Sequence, residues 1–251
     1  MVSSNVFLYH DTIVDVPQAP GLPRTTTTSR MSGTGFFVLQ GEKHLFLVTA
    51  GHVAKIATAD WSATICLPDD RPFSFLLSQL VSGGAVNWVT SDNADIAVLV
   101  LHPDSSIVHN LAHHFISIDL LTKALAAPGR QTPLTAMGFP LSLGIGDRFS
   151  PLTREAKCAS GLLTLGDPEL GGKLATFFVL DAPSIEGFSG SPVFTWPLIS
   201  MEGGGLTLGT KFAVVGLFKG TLSDGTGGKL GVVIPSSYIV ETIAKAALET
   251  H

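Results

Sequence analysis

The apolar residues of this chain fall into short runs, most of them four to seven positions long, and nearly every run is closed by glycine, proline or a small polar turn residue. That punctuation leaves few folds open. Strands this short build a core only when many of them pair, and without crossover helices between them they must pair antiparallel. Glycine accounts for 27 of the 251 residues and charged residues for only 14%, against a usual share of about 25%, so the turns are tight and most strand faces are meant for burial.

From residue 33 onward the strand candidates are 33–39 and 44–50, joined as a hairpin, then 63–67, 73–77, 86–89 and 96–101. A second set follows at 132–137, 156–165, 176–180, 192–195, 212–218 and 231–234. Two sets of about six strands predict an all-β chain of two packed six-stranded antiparallel Greek-key barrels, because closure removes exposed edges. After Pro235 the period changes to that of a helix, with Ser236 or Ser237 as cap, Glu241 in the first turn and Val240, Ile243, Ala247 and Leu248 on one face. This terminal helix is expected to fasten the second barrel. The expected domains are an arm over 1–30 that starts no core, a first barrel over 31–120 and a second over 121–251. The arm reading rests on Pro17, Pro20, Pro23 and the polar run from Thr25 to Ser29.

Several function classes are set aside by charge and composition. A net charge of −5 without a Lys/Arg cluster argues against nucleic acid, whose phosphates need a concentrated basic face. The longest apolar runs, such as 212–218, fall far short of the roughly 18 to 20 residues of a membrane span, and the first ten residues do not read as a secretory signal. The two cysteines, Cys66 and Cys158, lie far apart in sequence and are expected to be buried free thiols, which favours a cytoplasmic location over a periplasmic or secreted one reached after signal removal. His109, His113 and His114 lie in the connection 102–128 without a Cys or carboxylate cluster, so neither a metal nor a cofactor is expected.

One turn stands out chemically. In Gly187-Phe188-Ser189-Gly190 a serine lies between glycines just ahead of an apolar strand. A serine hydroxyl attacks only with a base in hydrogen-bond reach and donors ready for the oxyanion. The only histidine after Ser189 is His251, and residue 191 is serine, so the Ser, Asp, His order and G-x-S-x-G elbow of α/β-hydrolases do not fit. In the order His, Asp, Ser, two candidates stand at strand ends: His52 and Asp95.

Thr49-Ala50-Gly51-His52-Val53, Asp95-Ile96-Ala97-Val98-Leu99 and the run from Gly187 to Phe194 resemble the three signature segments of chymotrypsin/trypsin-like serine peptidases. Gly33-Thr34-Gly35-Phe36, the run from Met137 to Gly144, Asp181-Ala182 and the run from Gly231 to Ser236 are similar to the bacterial HtrA/Deg-type branch. The resemblance implies an endopeptidase acting through an acyl-enzyme. Ser189 is then the nucleophile, His52 the base, Asp95 its orienting carboxylate, and the N–H groups of Gly187 and Ser189 the oxyanion hole. It also implies a primary pocket between Pro183, Ser184 and Glu186 on one side and Lys219, Gly220 and Thr221 on the other. Pro183 at the pocket floor gives no reason to expect a preference for Lys or Arg. Lys219 is expected to point to solvent, or else to favour an acidic side chain.

Phe188 replaces the aspartate that secreted relatives pair with a freshly cut N-terminus, so activation by such cutting is not expected and packing or a partner must hold the turn. The partners expected are a peptide or protein substrate and a regulatory partner or further copies of the chain. Two other readings stay open: a partner-gated or non-catalytic peptide-binding module, and an esterase on the same triad.

Overall fold

A computed structural model describes residues 4–16, 25–130, 132–196, 199–202, 205–208, 212–224 and 226–249. The first half is one sheet built from β1 (Asn5–Val16), β2 (Thr25–Gln40), β3 (His44–Ala50), β4 (Ser62–Cys66), β5 (Pro72–Leu76), β6 (Val89–Thr90), β7 (Ile96–Leu101) and β8 (Phe115–Ser117). A single turn of helix, α1 (Gly51–Ala54), follows β3. The strand order is β5-β4-β1-β2-β3-β7-β6, antiparallel throughout, with β8 added in parallel to β2.

The second half contains β9 (Pro133–Gly138), β10 (Leu152–Lys157), β11 (Leu163–Gly166), β12 (Leu174–Leu180), β13 (Pro192–Thr195), the hairpin β14 (Ile199–Glu202) and β15 (Gly205–Leu208), then β16 (Ala213–Ser223) and β17 (Lys229–Pro235). Its main sheet runs β10-β9-β13-β16-β17-β12-β11, and the chain closes with α2 (Ser236–Glu249). The all-β, two-unit architecture is therefore present, with eight and seven strands rather than six and six. The run 156–165 is split into β10 and β11, and β1 and β8 are additional.

β1 corrects the reading of 1–30 as an arm outside the core. Val6, Phe7 and Leu8 are fully buried, held by a register of Asn5 opposite Phe36 through Leu8 opposite Gly33. Burying three such side chains contributes roughly 1.5–3 kcal/mol each. Residues 1–3 and 17–24 of that arm, with all three of its prolines, lie outside the described residues. Beyond Tyr9 the strand pairs with β2 alone, so residues 10–16 and 25–31 form a two-stranded ribbon. Arg30 holds this ribbon, bonding Asp11 through two nitrogens at 2.6 Å each and stacking 4.6 Å above the Tyr9 ring.

The terminal helix is also placed differently from expectation. Ile239, Ile243 and Ala246 join the core that holds Val98, Leu99 and Leu101 of β7, so α2 returns to the first sheet instead of fastening only the second. Its buried stripe is Tyr238, Ile239, Thr242, Ile243 and Ala246, while Leu248, expected on that face, is 78% exposed. Ser236 does not cap by its side chain; its hydroxyl donates to the Thr122 carbonyl at 2.7 Å.

Candidate active site

The register of β3 with β7 fixes the first part of the site. Ala50 lies opposite Ile96, so His52 and Asp95 leave the same end of one ladder within two residues of its last pair. Gly51 allows the close approach: a Cβ there would meet Asp95 Oδ1 at 2.7 Å. The Gly51 N–H donates to the Asp95 carbonyl at 3.0 Å, and the His52 N–H donates to Asp95 Oδ1 at 2.8 Å. The other carboxylate oxygen lies 2.6 Å from His52 Nδ1. Asp95 is 2% exposed, so this carboxylate is withdrawn from water and each of its oxygens is used. With Nδ1 engaged, Nε2 is the nitrogen left to face outward.

The second part of the site is the turn ahead of β13. Gly187 and Gly190 have φ of +96° and +89°, the left-handed region that glycine enters without steric cost. At both positions a Cβ would overlap a carbonyl oxygen, that of Phe139 for Gly187 and that of Thr34 for Gly190. Phe188 is 2% exposed and packs with its ring 6.0 Å from that of Phe218, in a cluster with Phe178, Leu180 and Val193. An apolar anchor thus occupies the place where an ion pair would need a second charge. Among the described residues the N–H groups of Gly187 and Ser189 have no hydrogen-bond acceptor, whereas that of Phe188 is tied to the Ile185 carbonyl at 3.1 Å.

Thr34 of β2, noted in the sequence only as part of a motif, joins the two parts. Its hydroxyl donates to the Gly187 carbonyl at 2.7 Å and accepts from the Phe139 N–H at 3.1 Å. Its own N–H donates to the Ser189 carbonyl at 2.9 Å, and its carbonyl accepts from the Thr49 hydroxyl at 2.7 Å. A strand of the first sheet therefore sets the height of a turn in the second.

His52 and Ser189 line one cleft of about 400 Å³. The Ser189 hydroxyl donates to the Lys219 main-chain carbonyl at 2.9 Å rather than to His52. Of the expected pocket residues, Lys219, Gly220 and Thr221 line this cleft, but Pro183, Ser184 and Glu186 do not. The two expected pocket walls are instead bonded to each other: the Ser184 N–H donates to Thr221 Oγ1 at 2.8 Å. The Glu186 side chain is exposed, and its carbonyl accepts from the Leu141 N–H at 2.7 Å. Lys219 does not extend into solvent. Its ammonium pairs with the carboxylate of Asp167, whose side chain is 2% exposed. Asp167 belongs to the turn between β11 and β12, and nothing in the local sequence distinguishes it.

Both cysteines are free and buried, and burial pushes both thiols above their ordinary range. Asp69 and Asp70 raise Cys66 further. Among the described residues no three His, Cys, Asp or Glu side chains converge as a metal site, and no helix is long and apolar enough to cross a membrane.

No protein-family model matches the sequence, and no curated protein matches it. The fold does find a counterpart in the crystal structure of a thermostable serine protease from an extremophilic microorganism, with a TM-score of 0.54, covering 98% of this chain and 97% of that one at 12% identity. That likeness defines the class at the level of architecture: two packed antiparallel β units of the trypsin-like kind. At so low an identity it establishes the fold alone.

Proposed function

We propose that this chain is a serine endopeptidase using His52, Asp95 and Ser189, of the HtrA/Deg-type branch its motifs resemble. The observation that carries the reading is the His52–Asp95 pair, closed at 2.6 Å with the carboxylate buried and the imidazole opening on the same cleft as Ser189. The reaction requires the Ser189 hydroxyl to leave the Lys219 carbonyl and turn toward His52 Nε2. Oγ then attacks the scissile carbonyl carbon as its proton passes to Nε2, and Asp95 stabilises the imidazolium without taking a proton itself. The free N–H groups of Gly187 and Ser189 are the donors for the oxyanion, where one such bond is worth about 3 kcal/mol in the transition state. Collapse of the tetrahedral species transfers the proton to the leaving amine. Water, activated by the same imidazole, then releases the acyl group.

One observation favours a second reading, in which a partner switches the site on. In the isolated chain the Ser189 hydroxyl is already bonded to the Lys219 carbonyl, and the turn carrying it depends on contacts with the other sheet. A fluorophosphonate probe separates the two. Labelling of Ser189 in the isolated chain, with cleavage of a broad peptide mixture that Ser189→Ala abolishes, is expected of the endopeptidase. Cleavage that persists in Ser189→Ala overturns the triad, and absence of labelling until a partner is added selects the gated reading.

A further inference from the structure

The cleft beside Ser189 has an unusual distribution of charge. Its wall is apolar: Leu165, Phe177, Leu222 and Val232 line it, Leu165 and Leu222 being solvent-exposed and Phe177 and Val232 buried. Apart from His52, three charged side chains line it, and each has a partner of opposite sign. At the rim, Glu169 is paired at 3.0 Å with Lys55, which leaves the turn after His52. Deeper, Lys219 is paired with Asp167, and only 17% of the lysine side chain is exposed. Asp167 Oδ1 also accepts the Glu169 N–H at 3.0 Å, so the carboxylate is fixed by its own turn before it meets the ammonium.

We propose that Asp167 determines specificity: by neutralising Lys219 it makes this cleft select an apolar substrate side chain instead of an acidic one. The inference rests on the endopeptidase reading and names its substrate class, peptides carrying Leu, Phe, Val or a similar residue at the position that enters the cleft. The bond between Ser184 and Thr221 joins the two segments that would otherwise be pocket walls, so room for a large side chain next to Ser189 is on the Leu165–Phe177 side. Four apolar side chains favour such an occupant through surface removed from water. An unneutralised ammonium at the same depth would reverse that choice, since a buried charge without a partner is costly and attracts the opposite charge strongly. A buried pair of this kind adds little net stability, but it decides which occupant is tolerated.

Cleavage profiling on a proteome-derived peptide mixture tests this, with fluorophosphonate labelling of Ser189 run on every variant. The wild-type chain is expected to prefer an apolar residue at one position near the cut. Asp167→Asn, which keeps an oxygen for the Glu169 N–H, frees Lys219 and is expected to shift that position toward Asp and Glu by about tenfold. Lys219→Met leaves the Asp167 carboxylate facing the cleft and is expected to shift it toward Lys and Arg. The double variant is neutral again and should return to the apolar preference, which a general loss of packing would not produce. Labelled, active variants that all keep the wild-type profile overturn the proposal and leave the endopeptidase reading intact. A wild-type preference for acidic or basic residues at that position also overturns it. Absence of labelling and cleavage in the wild type overturns the endopeptidase reading first.

Discussion

The two parts of the candidate site are held in different ways. His52 and Asp95 are placed by a single ladder: β3 and β7 are neighbours, the pair Ala50–Ile96 is the last rung, and three hydrogen bonds between 51–52 and 95 complete the arrangement. Nothing from the second sheet is needed. Ser189 is the reverse case. Its turn contains two glycines at positive φ, takes its anchor from Phe188, and is set against the first sheet through Thr34. His52 and Asp95 are thus preorganised by local pairing, while the placement of Ser189 depends on how two sheets meet. A change in how the sheets meet would therefore act on the Ser189 turn before it reached the His52–Asp95 pair.

If that contrast holds, damage to the first part should cost chemistry and leave structure untouched. Asp95→Asn is the sharpest case and the largest expected effect. The amide is nearly isosteric, so it still accepts the His52 main-chain N–H through its oxygen, but its NH₂ faces Nδ1 and forces the wrong imidazole tautomer. A fall of about 10⁴-fold in kcat is expected, with an almost unchanged unfolding midpoint. A loss of several degrees in that midpoint, measured by circular dichroism, would break the comparison by showing that the pair also carries the fold.

Thr34→Val attacks the other part. Valine keeps the volume but removes the hydroxyl, leaving the Gly187 carbonyl and the Phe139 N–H without a partner in a buried place. Leaving such groups unsatisfied costs about 2 kcal/mol in stability, and fluorophosphonate labelling of Ser189 should slow while the His52–Asp95 pair is untouched. Proton NMR of the His52 Nδ1–H checks the second half of that statement. A shifted imidazole resonance would mean the two parts are not independent.

The parts of the fold that were legible in sequence were those that local pattern decides. The runs 44–50, 96–101 and 192–195 are largely apolar between breakers, and the strands fall on them. His52, Asp95 and Ser189 stood out because each lies at the end of such a run. What was hidden depended on distant partners. Asn5–Val16 falls within the stretch that reads as an arm because of Pro17, Pro20, Pro23 and the polar run after them, and the burial of Val6, Phe7 and Leu8 needs the β2 register to exist. Lys219 reads in sequence as solvent-facing or as a site for an acidic side chain, and its true partner is hidden because Asp167 is far off in sequence, in a turn of ordinary composition. The contact of α2 with the first sheet, beside the expected one with the second, was hidden for the same reason: its apolar stripe is visible in sequence, but the β7 surface that receives it is not.

Arg30→Ala supplies the smallest effect and a control on the Thr34 result, because both residues lie in β2 but Arg30 lies on the ribbon, away from Ser189. The Arg30 guanidinium, chiefly by its hydrogen bond, holds the Asp11 carboxyl below its ordinary value of 3.8, and Asp11 in turn raises Arg30. Since the folded pKa is the lower one, the pair contributes stability at pH values above the ordinary carboxylate range, and that contribution is lost as pH falls through the depressed value. Both side chains are about one-third exposed, at 35% each, so water screens most of the attraction. About 0.5 kcal/mol is the expected loss at neutral pH, fading in acid. Thermal unfolding of the wild type and the variant at pH 7 and near pH 3 reads this directly, with a small gap in midpoint at the first pH and a smaller one at the second. Ser189 labelling should be identical in the two proteins at pH 7. If Arg30→Ala slows it, then β2 transmits strain along its whole length, and the effect of Thr34→Val could no longer be assigned to one hydroxyl at the meeting point of the sheets.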